Sequence, residues 1–243
     1  MNDFVGFSRS IKLSWLNKIT ELQKQGLSET EIKEQINFYL SFEIKSPIVL
    51  RKTREILLDI WVRCPNELTK LRNDFLETIT TSNNVEAHWC MIALTYPLFV
   101  DVANSIGRIS QLQDTFKLSW LKSRIFEKYG ERGTIYHSLD KIISTLRYLG
   151  VIEAVKRGEY KVIKKSIYDK SIITNIAIAS LYIESESSLD LNRLNDRRYM
   201  FPFTYLVTQD ILDRNSNITM DYLGGKKIYS LKNVSKSNVE LSK

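Results

Sequence analysis

The clearest pattern of apolar and polar positions in this chain lies at residues 134–150. Thr134 is a suitable N-cap, because its hydroxyl can accept a hydrogen bond from a backbone N–H of the first helical turn. Gly150 stands where a left-handed residue often ends a helix. Between them, apolar side chains recur at the spacing of one helix face: Ile135, Leu139, Ile142, Ile143, Leu146 and Leu149. The pattern predicts an amphipathic helix whose other face carries Tyr136, His137, Lys141, Ser144, Arg147 and Tyr148.

The segments on either side of this helix indicate a winged helix-turn-helix at residues 114–166. Apolar positions at 118, 121, 125 and 129 predict a preceding helix, and the turn at 130–133 contains two glycines. After the main helix, β-branched runs at 151–155 and 160–163 enclose a turn with Gly158, which predicts a basic hairpin. Helix, turn, helix and hairpin follow one another in the order of a winged helix-turn-helix.

The first 113 residues predict a bundle of helices. Ser28 and Glu31 have the spacing of a capping box, and Ser46-Pro47 has the residues preferred at a helix start. Residues 85–96 are apolar on nearly every side, so we expect that helix near the centre of the bundle. His88 lies in it and is expected to face the core.

Residues 167–243 predict a small α+β extension. The apolar, β-branched segment 172–183 fits a buried helix or a strand, because its periodicity does not separate the two. Residues 218–231 predict a hairpin that turns at Gly224-Gly225. The tail from Val234 is polar and is expected to be flexible. The predicted fold is therefore mainly α, with a helical bundle (1–113), a winged helix-turn-helix (114–166) and an α+β extension (167–243).

The positive charge of the chain is concentrated in the predicted winged unit. The net charge is +7 and the pI is about 9.2, which favour an anionic partner. Between Phe116 and Lys165 there are twelve Lys or Arg and five Asp or Glu, so this stretch carries the whole excess. The alternative is that an ordinary solvated surface is basic here. The localisation favours nucleic acid as the partner.

The predicted duplex-binding residues fall into three groups. Those expected to enter the major groove are Tyr136, His137, Lys141 and Ser144, and those expected along the phosphates are Lys122, Arg124, Arg132, Lys156, Arg157 and Lys161. A further basic cluster, Arg51, Lys52 and Arg54, begins the helix at 47–63, where the helix dipole also favours anions. Residues 28–63 could thus form a second helix-turn-helix, or the cluster is a solvated face with intrahelical ion pairs. One central lysine and no central Arg, Asn or Gln predict double-stranded DNA binding largely without sequence specificity.

Catalytic and metal-binding patterns are missing from the sequence. No glycine-rich phosphate loop is present, and His88 and His137 stand far apart. We therefore expect no enzymatic activity, no cofactor and no metal site. Cys64 and Cys90 are expected to be free thiols in a reducing cytoplasm. The sequence shows no signal peptide and no apolar run of the ~20 residues that span a bilayer, so we expect a soluble cytoplasmic protein that does not enter a membrane.

A set of short motifs resembles the BrxA family of the BREX bacteriophage-exclusion systems of bacteria. These motifs are Gly26-Leu27-Ser28, Lys45-Ser46-Pro47, Arg51-Lys52-Thr53-Arg54, Tyr96-Pro97-Leu98 and the run from Leu146 to Ile152. The resemblance covers about residues 4 to 165, and the segment after Lys165 departs from it. That family is similar in its helical part to the antitermination factor NusB. The resemblance implies a non-enzymatic accessory protein of anti-phage defence that binds double-stranded DNA and has other BREX proteins as partners.

Two alternative functions remain open from the sequence. An RNA-binding protein of the antitermination type would use exposed aromatic rings, for which Tyr136, Tyr148 and Tyr160 are candidates. A protein-docking module of the defence complex is the other alternative, because the fold does not determine function.

Overall fold

The structure, a computed structural model, describes residues 7–79, 84–184 and 188–232, and within these ranges the chain is mainly helical. The tail predicted from Val234 lies outside them. The helices are α1 (Leu13–Lys24), α2 (Glu29–Ser41), α3 (Pro47–Trp61), α4 (Thr69–Thr78), α5 (Val85–Thr95), α6 (Pro97–Ser110), α7 (Leu118–Tyr129), α8 (Gly133–Tyr148), α9 (Lys170–Ile183), α10 (Leu191–Asn195) and α11 (Gln209–Asp213). The strands are β1 (Thr115–Lys117), β2 (Ile152–Lys156), β3 (Glu159–Val162), β4 (Lys165–Ser166), β5 (Leu189–Asp190), β6 (Phe203–Thr204), β7 (Ile218–Leu223) and β8 (Lys226–Leu231).

Local capping explains where α2 and α3 begin. The Ser28 hydroxyl accepts a hydrogen bond from the Glu31 backbone N–H, and the Glu31 carboxylate accepts one from the Ser28 N–H at 2.8 Å. This is the predicted capping box, which satisfies two otherwise unpaired backbone donors. At α3, Ser46 accepts from the Val49 N–H and Pro47 occupies the first turn, so this start is also confirmed.

Helix α5 is buried along most of its length, and its Trp89 connects the N-terminal helices to the C-terminal region. The indole ring packs edge-on against Phe99 of α6 and against Phe201 and Phe203. Its N–H donates to the Tyr199 carbonyl at 3.1 Å. Buried side chains from all three predicted regions consequently belong to one continuous hydrophobic core.

Residues 115–162 form two helices and a three-stranded antiparallel sheet with strand order β1-β3-β2. The predicted hairpin is present as β2 and β3, with Gly158 at φ +77° in its turn. Strand β1, which the sequence did not predict, pairs Phe116 with Tyr160 across the sheet. It follows α6 directly and places α7 against the hairpin.

Helix α8 begins at Gly133, so Thr134 is in its first turn and its prediction as N-cap was wrong. The N-cap is Arg132, with extended backbone angles. The turn between α7 and α8 is short, because Gly130 has φ +75° and its carbonyl accepts a hydrogen bond from the Arg132 N–H. The chain is therefore helical by Gly133. The end of the helix is as predicted: Gly150 has φ +66° and follows the C-cap.

In the C-terminal region, the segment at 172–183, for which the sequence left helix and strand open, is part of helix α9. The Asp169 side chain caps it by accepting from the Ser171 and Ile172 N–H groups at 2.8 and 3.1 Å. The predicted hairpin at 218–231 is present as β7 and β8, which turn at Gly224-Gly225. It lies in a sheet of order β5-β8-β7, and β4 and β6 form a short parallel pair.

Candidate nucleic-acid interface

The two ends of α8 have different surroundings. Its predicted apolar stripe is buried throughout. Near the C-terminal end, the Thr145 hydroxyl accepts from the Ile11 N–H at 2.9 Å, and the Lys12 ammonium lies 5.9 Å from the Tyr148 ring. Near the N-terminal end, Tyr136 and His137 are exposed. Arg147 and Tyr148 near the C-terminal end are exposed as well, so both ends of α8 have side chains open to solvent.

Lys122 of α7 is bound by two side chains of α8. Its ammonium lies 3.6 Å from the centre of the Tyr136 ring and 3.1 Å from Asp140 Oδ1. The side chain is only 16% exposed. Burial by itself would lower its pKa, but hydrogen bonds with Tyr136 and Asp140 leave the pKa of Lys122 raised. Lys122 is therefore a cation that holds Tyr136 in position, with little of its surface open to a phosphate.

Phe126 completes this contact and was missed in the sequence. Its ring is stacked below that of Tyr136, with centroids 6.3 Å apart, and His137 lies edge-on to Tyr136 at 6.1 Å. A signal for it was present, because 122 and 126 are four residues apart on α7, as 136 and 140 are on α8. Two such pairs on adjacent helices can interlock across the contact.

Three more of the predicted residues have partners on the protein. Arg124 pairs with Glu127 at 2.9 Å, and Lys156, which is 71% exposed, pairs with Glu159 at 3.0 Å. Exposed pairs of this kind contribute about 0–1 kcal/mol, so a phosphate can replace the carboxylate. Ser144 donates its hydroxyl to the Asp140 carbonyl at 2.8 Å and is half-buried, which leaves it little capacity to contact a base.

Most of the cations between residues 116 and 165 remain without an ion pair. In the part of the chain that the structure describes, eight of the twelve have no carboxylate oxygen within 4.0 Å: Lys117, Arg132, Lys141, Arg147, Arg157, Lys161, Lys164 and Lys165. Arg132 immediately precedes α8, and Arg157 is at the hairpin turn. Lys161 lies opposite Glu153 in the β2–β3 register, without an ion pair between them. We call these eight residues the unpaired cations.

The second basic cluster lies on another part of the molecule. Helix α3, which carries it, packs on α1, α2 and α5, whereas α7 and α8 pack on α6 and on each other. Arg51 and Lys52 are exposed. Arg54 is half-buried and donates to Glu55 at 2.8 Å and to Asn37 at 3.2 Å, so its charge is already neutralised. The structure thus divides the predicted residues between two surfaces.

No group of three or more His, Cys, Asp or Glu side chains among the described residues is arranged to hold a metal ion. None of the described helices combines the length and apolar character needed to cross a membrane. Comparison of the chain with protein families, with characterised proteins and with solved structures gave no match.

Proposed function

We propose that the chain binds double-stranded DNA through residues 114–166, which together with the preceding helix α6 have the element order of a winged helix-turn-helix. The element order α6-β1-α7-α8-β2-β3 and the strand order β1-β3-β2 support this assignment. The observation that carries the proposal is the set of unpaired cations, among which Arg132 immediately precedes α8, Lys141 lies on α8 and Arg157 is at the hairpin turn. Cations without protein partners are those that phosphates can engage at the lowest cost.

In this proposal the start of α8 enters the major groove. Tyr136 and His137 are the side chains that enter first, and Lys141 is the one central cation on the groove-facing side of α8. Arg132, Arg157 and Lys161 contact phosphates on either side and set the register of the protein on the duplex. Because strong base discrimination usually depends on bidentate Arg, Asn or Gln contacts, we expect little sequence preference.

We further propose that the protein is a non-enzymatic BrxA-like accessory protein of BREX defence that acts in the bacterial cytoplasm. Two motifs of the resemblance fall at element boundaries, since Ser46-Pro47 begins α3 and Tyr96-Pro97 begins α6. Both Cys64 and Cys90 are free thiols, in keeping with a reducing compartment. A plaque assay in a host that carries the defence genes tests this step. Loss of protection with a binding-deficient variant would support it, and full protection would contradict it.

The DNA-binding surface is tested by reversing charges at the hairpin turn. With Lys156→Glu and Arg157→Glu together, we expect affinity for every duplex sequence to fall at least about tenfold, because two phosphate contacts become repulsive. Fluorescence anisotropy with two unrelated duplexes measures it. The matched control is Lys226→Glu with Lys227→Glu, the same charge change at the β7–β8 hairpin. An equal loss in both variants would show a response to net charge alone and would remove the β2–β3 hairpin from the interface.

RNA binding is the second candidate, because the Tyr136 ring is exposed and supported from below by Phe126. Such a ring can stack on an unpaired base. Of the other candidate rings, Tyr160 is half-buried and stacks on Phe116 at 5.7 Å, whereas Tyr148 is exposed near Lys12 and is also available for stacking. Competition between duplex DNA, single-stranded RNA and structured RNA separates the candidates. Duplex DNA should compete best. An RNA that competes at a concentration tenfold lower than duplex DNA would show that RNA is the preferred partner.

A further inference from the structure

An open apolar groove lies between the end of α2 and the start of α3, away from the proposed DNA surface. Its volume is about 520 Å³, and apolar side chains on its walls include Phe38, Ile44, Pro47 and Leu50. This volume is in the range of clefts that bind drug-sized ligands, which are similar in size to a few side chains. The groove is therefore large enough to receive one face of a short helix.

Large apolar side chains are exposed in this groove and beside it: Phe38 lines the groove, and Phe42 and Ile48 adjoin residues that line it. Phe38 is 69% and Phe42 66% exposed, and their rings contact each other edge-on at 5.0 Å. Ile48, next to Pro47 in the chain, is 61% exposed. Grouped exposure of this kind usually marks an interaction surface.

The rim of the groove is positively charged. The residues that line it include Lys45 and Arg51, together with Arg54, which is already paired with Glu55, and no Asp or Glu. Lys45 donates only to the Ser41 carbonyl, and Arg51 has no carboxylate within 4.0 Å among the residues described. Lys52 follows Arg51 and is likewise exposed and unpaired. An occupant must therefore bring apolar groups to the floor and carboxylates to the rim.

These features favour a protein segment over the other occupants. DNA would satisfy Arg51 and Lys52, but a phosphate backbone gives no apolar surface against which Phe38, Phe42 and Ile48 could be buried. A second copy that docked through the same groove in a two-fold dimer would bring one positive rim against the other. We propose that the groove binds an acidic amphipathic helix of a partner protein, with apolar anchors at positions i, i+3 or i+4, and i+7. This site is independent of the proposed DNA binding.

A display selection with the full chain tests the proposal. Random peptides of about 16 residues, enough for four helical turns, are selected on the immobilised protein, and enriched peptides are synthesised with a fluorescent label. Their affinities are measured for the wild type, for Phe38→Ala with Phe42→Ala, and for Arg51→Glu with Lys52→Glu. Two controls lie elsewhere on the chain: Tyr168→Ser with Leu206→Ser for exposed apolar surface, and Lys226→Glu with Lys227→Glu, an exposed and a half-buried lysine, for charge. Circular dichroism melting verifies that each variant is folded.

We expect enriched peptides with the helical apolar spacing and an excess of Asp and Glu. Their affinity should fall at least about tenfold in both groove variants and less than about threefold in both controls. Peptides that bind all variants equally, or enriched peptides without carboxylates, would overturn the proposal. So would a dimer in sedimentation that Phe38→Ala with Phe42→Ala dissociates, because a second copy would then occupy the groove. A tenfold loss of duplex affinity in Arg51→Glu with Lys52→Glu, but not in Lys226→Glu with Lys227→Glu, would instead assign the groove to DNA.

Discussion

At the scale of single residues, the ammonium of Lys122 is bound on two sides, by the ring of Tyr136 and the carboxylate of Asp140. A cation over an aromatic face contributes about 0.5–2 kcal/mol, with the larger values where water is excluded. The side chain is mostly buried, so solvent screens these contacts less than at a fully exposed site. Lys122 therefore stabilises the contact between α7 and α8.

Replacing Lys122 by Met tests this role. We expect the free energy of unfolding to fall by about 1–2 kcal/mol, because the alkyl chain is kept while the cation–π contact and the ion pair are lost. Urea unfolding followed by circular dichroism measures it. Arg124→Met is the control, since its pair with Glu127 is exposed and should contribute less than about 0.5 kcal/mol. Equal losses in the two variants would mean that Lys122 is no more than a surface charge.

His88 is a buried residue whose position was predicted correctly. It is fully inside the helical bundle, with its ring edge-on to Trp61 at 5.4 Å and Nε2 2.9 Å from Asn17 Oδ1. Burial lowers the pKa of His88 to about 3. The imidazole is therefore neutral in the folded protein at pH values well above 3.

This lowered pKa predicts a loss of stability in mild acid. In the unfolded chain His88 takes up a proton near pH 6.5, whereas the folded chain does so only near pH 3, so the unfolded state binds more protons between these values. The contribution of neutral His88 to the free energy of unfolding is complete above about pH 6.5 and declines as the pH falls towards 3. At pH 5 it should have lost about 2 kcal/mol relative to pH 8.

Urea unfolding at both pH values, in the wild type and in His88→Phe, measures this difference. The variant keeps an aromatic ring against Trp61 and cannot titrate. Acidic groups that titrate near pH 5 are common to both proteins and cancel in the comparison. A loss of the same size in the variant would show that other groups cause it.

At the scale of elements, the helix ends that were predicted correctly depend on residues close in sequence. Ser28 with Glu31, Ser46 with Pro47, and Gly150 each make their contacts within one helical turn. Strand β1 was missed because it is three residues long and exists through its pairing with β3, more than forty residues later. Helix α9 stayed undecided because it is buried on most sides, and such a segment lacks the alternation that separates helix from strand.

Gly107 shows a constraint that sequence patterns did not reveal. It lies inside α6, where the helix meets the short 3₁₀ turn Arg198–Met200. A Cβ atom at this position would be 1.9 Å from the Arg198 carbonyl oxygen, which is backbone and cannot rotate away. Close approach of the two segments therefore requires glycine.

Gly107→Ala should consequently destabilise the protein by about 3 kcal/mol or more, because α6 and the turn must move apart. Gly133→Ala is the matched control, since no atom lies within 4 Å of a Cβ there and its backbone is helical. It should be neutral or stabilising by up to about 1 kcal/mol. Thermal unfolding of the two variants measures the contrast. A stable Gly107→Ala protein would contradict the packing of α6 on residues 198–200.

At the scale of the whole molecule, the location of the basic region was predictable from the sequence. Which of its cations form ion pairs with carboxylates was not. A count of charges along the chain identifies residues 116–165, because charge is a property of composition. The partner of Arg124 is three residues away, whereas that of Lys122 is on another helix and depends on how α7 packs against α8. The groove between α2 and α3 was missed for the same reason, since it exists only once the two helices are side by side.

The salt dependence of the proposed DNA binding tests which cations reach the phosphates. If about four of the unpaired cations do so, the slope of log Kobs against log salt should be about −4, and affinity should fall roughly a hundredfold between about 50 and 200 mM salt. Arg132→Gln with Arg157→Gln should make the slope shallower by about two, because two counterion-releasing contacts are removed. Lys122→Met should leave it unchanged, since Tyr136 and Asp140 already bind that ammonium. An affinity that hardly responds to salt would refute the electrostatic mechanism, and a slope shallower by one in Lys122→Met would show that this lysine turns to the phosphates on binding.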